Sequence, residues 1–161
     1  MVQEPNPEIS ITVTDEITGS VTIKSQDKLY ETPLYKMTVS GYDFDGNPIF
    51  EEFEVVRFGV KNGKVQTLSA GNYTISEYKK MESGVMGFKI NGPYYFHLLG
   101  RYNPNSNWGC LAIKGGHPMW DHFVATLSSA GWNSNMYDLA SSRIINVNIQ
   151  YAPTPIVKLK N

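Results

Sequence analysis

The chain has 161 residues, 41% of them hydrophobic and 12% aromatic, so a real core in one domain, or in two small ones, is expected rather than intrinsic disorder. Lys and Arg total 14 against 15 Asp and Glu, a formal charge of -1, and that near balance argues against a nucleic-acid partner, whose phosphates need a basic face. The apolar runs are far too short for a membrane span, and a single cysteine excludes both an internal disulfide framework and a multi-cysteine zinc site.

Residues 1–8 carry Pro5 and Pro7 without periodicity and read as a loose lead-in. Met1-Val2-Gln3-Glu4-Pro5 has no basic n-region and no apolar h-region, so no secretory signal is expected. Ile9, Ile11 and Val13 alternate with polar residues, Asp15 to Gly19 supplies turn formers, and Val21 and Ile23 resume the alternation. This predicts a hairpin over 9–23. A second hairpin is predicted from 34–42 and 49–60 around the turn cluster Asp43 to Pro48. Asn62-Gly63, between Val60 and Val65, predicts a two-residue type I′ hairpin, because both residues tolerate positive φ. Further strands are expected at 72–78, 85–90, 94–99, 109–114 and 144–152.

One helix is predicted, over about 118–130. Pro118 suits its first position, Met119, Trp120, Phe123, Val124 and Leu127 share one face, and Gly131 is placed to end it in a left-handed cap. Tyr151 to Pro155 reads as an extended exit on the surface. The expected fold is therefore mostly β, with mainly antiparallel strands and one packed helix.

The densest chemical text lies between Tyr94 and His122. His97 sits on a predicted strand; Asn103 to Asn107 are almost purely turn-forming; the only cysteine, Cys110, follows His97 by 13 residues and opens an apolar strand. A loop of that length can return to an adjacent strand and bring imidazole and thiol together, as a cysteine nucleophile requires. Gly109 permits the sharp turn that would aim nearby N–H groups at a developing oxyanion. Residue types alone leave the bland alternative open. On that basis a cysteine beside Leu111 and Ile113 reads first as a small buried hydrophobe, and His97 as a structural histidine.

The same text resembles the L,D-transpeptidase catalytic domain family, the YkuD-like fold, and its divergent relatives among small bacterial and phage effector domains. The resemblance rests on His97, Gly100 and Gly109-Cys110-Leu111, with an upstream element at Leu68-Ser69-Ala70-Gly71-Asn72-Tyr73-Thr74-Ile75, and covers about residues 50–115. Trp108 stands where the family commonly has a second histidine, Ala112 where Arg or Asn is frequent, and Ser69 where proline is usual.

The resemblance implies an L,D-transpeptidase-like β-sandwich over 46–152, preceded by a β-hairpin segment at 9–45 and followed by a tail at 153–161. It implies Cys110 as nucleophile and His97 as base, the latter oriented by the Leu98 carbonyl, with oxyanion donors around Cys110, Gly109 and Trp108. Arg101, Tyr102, Trp108 and Lys114 are the expected substrate contacts. The implied substrate is the stem peptide of bacterial peptidoglycan, acylated onto Cys110 and released to an amine or to water. With no signal at the N-terminus, the expectation is a protein made in the bacterial cytoplasm and delivered to the periplasm or cell wall as an effector, with an immunity protein as a second partner. No cofactor is implied. The rival expectation is a non-catalytic module of the same fold that binds wall peptide or glycan through its aromatic residues.

Other constellations read more plainly. His117, Asp121, His122 and Cys110 invite a zinc reading, but His-x₄-His does not share a helical face, so no metal is expected. A Cys-first peptidase with His117 or His122 as base lacks the usual separation of the two groups along the chain. Asp43, Asp45, Asn47 and Glu54 fit a calcium-loop spacing, yet Pro48 occupies the place of the obligatory glycine, so a polar β-turn is expected.

Overall fold

The structure, a computed structural model, describes residues 6–81, 84–92, 94–99 and 111–160. It is mostly β, with 55% strand and 16% helix. Among the described residues, twelve strands and two helices run in the order β1 (Ile9–Ser25), β2 (Lys28–Tyr42), β3 (Pro48–Val56), β4 (Gly59–Lys61), β5 (Lys64–Gln66), β6 (Gly71–Thr74), β7 (Glu77–Lys80), β8 (Met86–Asn91), β9 (Tyr94–Leu98), β10 (Leu111–Ile113), α1 (Gly116–Gly131), α2 (Met136–Ser141), β11 (Ile145–Ile149) and β12 (Lys158–Lys160).

One sheet holds nearly everything, in the order β6-β11-β1-β2-β3-β10-β9-β8-β7, with β12 paired to β2; β4 and β5 form a separate hairpin. Pairing is mainly antiparallel. The β1·β11 and β9·β10 pairs are parallel. β1 and β2, from the segment expected to precede the catalytic domain, lie in the middle of this sheet. Its end strands, β6 and β7, are consecutive in the chain with only Ile75 and Ser76 between them. The sheet must therefore curl until its ends meet. The Ile75 N–H donates to the Ile145 carbonyl at 3.0 Å and the Ser76 N–H to the Lys89 carbonyl at 3.2 Å, tying that link to β11 and β8. This curled, two-faced arrangement is consistent with the sandwich-like class.

The first predicted hairpin is corrected. Residues 9–25 form one long strand, and Asp15 to Gly19 bulge rather than turn, with register shifts between Val13 and Ile17 and between Ile17 and Gly19. Thr14 supplies the reason: its Oγ1 accepts the Glu16 N–H at 3.2 Å and donates to the Lys36 carbonyl at 2.7 Å, so local turn chemistry is satisfied inside a strand pair. The reversal falls instead at Gln26 and Asp27, both with positive φ of 51° and 64°. The Asn62-Gly63 turn is as expected, at φ 53° and 76°. Asp43 caps the β2–β3 turn by accepting the backbone N–H groups of Asp45 and Asn47 at 3.0 and 2.8 Å, and these donors, that of Asn47 first, hold its pKa below the ordinary carboxylate range. The calcium-like spacing is thus a turn, and Glu54 lies away from it on β3.

Against the inner face packs α1. Trp120, Phe123 and Leu127 are buried as predicted, while Met119 and Val124 sit at the margin. Phe123 meets Phe53 and Phe88 edge-on at 5.4 and 5.9 Å, and Phe96 and Trp120 at 5.8 and 5.5 Å. The predicted helix ends need correction. Gly115 is the N-cap, so Pro118 is the third helical residue, still within the turn whose N–H groups have no helical acceptor. Trp132, not Gly131, carries the left-handed cap, at φ 57° and ψ 34°; its Nε1 donates to the Tyr42 carbonyl at 3.0 Å and its ring lies 5.6 Å from Phe44. Gly131 is glycine because α2 lies on it: a Cβ there would sit 2.3 Å from Leu139 Cδ1. Gly131→Ala should therefore destabilise the fold by about 1–3 kcal/mol in chemical denaturation, although alanine is the better helix former by about 1 kcal/mol. An unchanged or raised midpoint would show that α2 yields freely.

The expectation of one helix is also corrected. α2 is a second, short helix, capped by Asn135 Oδ1, which accepts from the N–H groups of Tyr137 and Asp138. The predicted 72–78 strand is two strands, β6 and β7, on opposite ends of the sheet path. No helix among the described residues is long and apolar enough to cross a membrane.

Candidate active site

β9 alternates strictly. Phe96 and Leu98 point into the main core under α1, so Tyr95 and His97 take the opposite face. Along that face one cross-strand row runs His97–Ala112–Val56–Leu34–Gly19, from β9 through β10, β3 and β2 to β1. Leu34, Val56 and Ala112 form a second, small apolar cluster beside which Val21 and Leu99 pack. His97 is 1% exposed. Beside β9, Gly87 brings β8 in close: a Cβ there would stand 3.1 Å from the Phe96 carbonyl and 2.8 Å from Met81 Sδ.

The imidazole is held in one sense. Nδ1 lies 2.7 Å from the Leu98 carbonyl oxygen. A carbonyl only accepts, so Nδ1 carries the hydrogen, and Nε2 of the neutral ring is the nitrogen able to take a proton. The bonded carbonyl is that of the next residue, Leu98, and no carboxylate takes part in that bond. β9 is itself pinned to β10: the Leu99 N–H donates to the Ile113 carbonyl at 2.8 Å, and Leu111 pairs with Phe96. Of the other predicted site residues, Cys110, Gly109, Trp108, Tyr102 and Arg101 lie outside the described residues, and Lys114 lies within them. His117 and His122 are exposed on α1, and His122 Nε2 stands 3.2 Å from Glu51 Oε2.

Lys114 directly follows β10, its N–H donating to the Glu54 carbonyl at 2.9 Å. Its Nζ is 3.9 Å from Glu54 Oε1 and lines an open pocket of about 330 Å³ with Glu16, Thr18, Lys36, Glu52 and Glu54, walled by Phe53 and Met119. Glu54 stands two residues before Val56 on the same strand face, so the pocket begins about 7 Å along the strands from the His97 row. Within it Lys36 Nζ faces Glu52 at 3.3 Å and Glu16 at 3.6 Å. Its bond to Glu52, then the charges of Glu52 and Glu16, hold its pKa above the ordinary value. Thr18 Oγ1 donates to Glu54 Oε2 at 2.8 Å.

Sequence reasoning passed over this pocket and over Arg57. Arg57, 2% exposed, donates Nη1 to the Thr14 carbonyl at 2.7 Å and Nη2 to the Gln150 carbonyl at 2.6 Å, with its guanidinium 5.2 Å from the Tyr35 ring centre. Burial lowers its pKa and raises that of Tyr35. The signal was present, since Arg57 interrupts the apolar run Val55-Val56-Arg57-Phe58.

No protein-family model matches the chain, and no curated protein or solved structure matches it. The family resemblance therefore rests on the motif residues themselves.

Proposed function

We propose that the chain is a peptidoglycan-directed cysteine acyltransferase of the L,D-transpeptidase or L,D-carboxypeptidase type, working through a Cys110–His97 dyad. The observation that carries this reading is the orientation of His97, buried and locked by the Leu98 carbonyl with Nε2 as its basic nitrogen. Connectivity adds support: Cys110 directly precedes Leu111 in the chain, and the Leu111 Cα pairs with that of Phe96 on the strand that bears the base.

In this mechanism Nε2 takes the thiol proton and the thiolate attacks the carbonyl carbon between the third stem residue and D-alanine. Backbone N–H groups around Cys110 steady the oxyanion. The C–N bond then breaks as the imidazolium protonates the departing amine, leaving a thioester on Cys110. An amine or water resolves that thioester and restores the thiol.

The test is to incubate the protein with sacculi rich in tetrapeptide stems and to profile the muropeptides by mass against Cys110→Ala. Tripeptide stems mark a carboxypeptidase, and new 3–3 crosslinks or exchanged termini a transpeptidase. An unchanged profile, together with stem-peptide binding that survives Cys110→Ala, replaces the enzyme with the wall-binding module.

A further inference from the structure

The near balance of charge over the whole chain hides a basic end. Three segments, 22–31, 61–64 and 158–160, hold six of the 14 Lys and Arg residues against two acids, Asp27 and Glu31. The fold brings these segments together. β12 pairs with the start of β2, and Lys160 Nζ donates to Thr22 Oγ1 at 3.0 Å. The turns of the β1–β2 and β4–β5 hairpins are tied, because Gln26 Nε2 donates to Asn62 Oδ1 at 2.6 Å. Ser25 Oγ adds a buried bond to the Val60 carbonyl at 2.8 Å. Asp27 offsets Lys24 alone, at 4.0 Å between two exposed side chains, a contact that water screens. Glu31 Oε1 accepts from Ser20 Oγ at 2.7 Å. Four positive charges in excess thus gather at one end of a chain whose formal total is -1.

Apolar side chains that the core does not use lie among these lysines. Leu29 pairs with Lys24 on one side and with Lys160 on the other. One cross-strand row therefore reads Lys24–Leu29–Lys160, on the face turned away from buried Ile23 and Ser25. Leu29 is 44% exposed, Leu159 53% and Ile156 88%.

We propose that this end docks on the surface of an anionic lipid bilayer, its lysines against the phosphate-bearing headgroups and Leu29 at the acyl boundary beneath them. The inference stands apart from the catalytic reading and uses none of its residues. Charge complementarity selects an anionic surface. The exposed Leu29, Leu159 and Ile156 then separate a bilayer from a soluble polyanion, which has no apolar layer to receive them. The row supplies the matching geometry, since lysine stems can follow a leucine inward while their ammonium groups stay at headgroup level.

The experiment mixes the full chain with lipid vesicles and measures co-sedimentation. Vesicles of equal parts phosphatidylglycerol and phosphatidylcholine should carry the protein down, vesicles of phosphatidylcholine alone should not, and added salt should release it. Lys24→Gln with Lys160→Gln should weaken binding about twentyfold, each lysine near an anionic surface contributing about fivefold. Leu29→Ser should weaken it about tenfold by itself. All three substitutions alter exposed side chains, and an unchanged urea midpoint checks that the fold is kept. Equal binding to both kinds of vesicle, or parental binding by the lysine variant, would overturn the docking surface. Duplex DNA held as tightly as the anionic vesicles, with Leu29→Ser without effect, would replace the bilayer by a nucleic acid.

Discussion

His97→Gln should lower the rate of acyl-enzyme formation about 10²–10⁴-fold, the usual contribution of a positioned base. Glutamine is chosen because its amide can still donate to the Leu98 carbonyl, as Nδ1 does at 2.7 Å, while it offers nothing that takes a proton from a thiol. Cys110→Ala should abolish the adduct altogether in an intact-mass spectrum. The thiol of the parent should react with iodoacetamide well below pH about 8.5, the free thiol value, and His97→Gln should move that profile back toward it. An identical labelling profile in the two proteins would break the dyad, because the imidazole would then have no part in forming the thiolate. Rescue by asparagine or glutamine to parental rates would likewise reduce His97 to a structural histidine.

Arg57→Met should destabilise the fold by about 2–4 kcal/mol, a large share of the roughly 5–15 kcal/mol that keeps a domain folded. The substitution removes two charge-assisted donors at once, leaving the Thr14 carbonyl in the β1 bulge and the Gln150 carbonyl past β11 without their partner. Some of that loss is returned, because a guanidinium that is 2% exposed no longer has to be desolvated. The lost contacts win because they join three separate strands, and methionine reproduces only the packing on Tyr35 and Phe58. Arg57→Lys keeps the charge but not the fork, so it should recover less than half of the loss. Urea denaturation at unchanged m reads both variants; parental stability in Arg57→Met would mean that water or another donor reaches the two carbonyls.

What was legible in the chain was whatever its chemistry decides locally. The alternation at Ile9 to Val13, the Asn62-Gly63 turn, and the spacing of Trp120, Phe123 and Leu127 each specify one structure over a few residues. Asp15 to Gly19 misled because turn formers also build bulges, and only the partner strand decides between them. The reversal at Gln26-Asp27 has no glycine, and α2 has six residues, too few to show a period. The contact of His97 with the Leu98 carbonyl lies within reach of sequence reasoning, because it joins neighbouring residues. The charged pocket was not, since Glu16, Lys36, Glu54 and Lys114 meet only through the registers of four strands.

Those registers also constrain how the protein is made. β11 fills the slot between β1 and β6, pairing Ile9 with Ile145 and Asn146 with Thr74. During synthesis the local β1–β2–β3 meander can form early, yet the long flank of β1 has no neighbour until residues 145–149 leave the ribosome. Until then the nascent chain presents an open strand edge with Ile9, Ile11 and Val13 on it, a template for pairing with other chains. Fragments that stop before residue 145 should aggregate where the chain with β11 folds, and expression should depend on chaperones that shield that flank until β11 seals it.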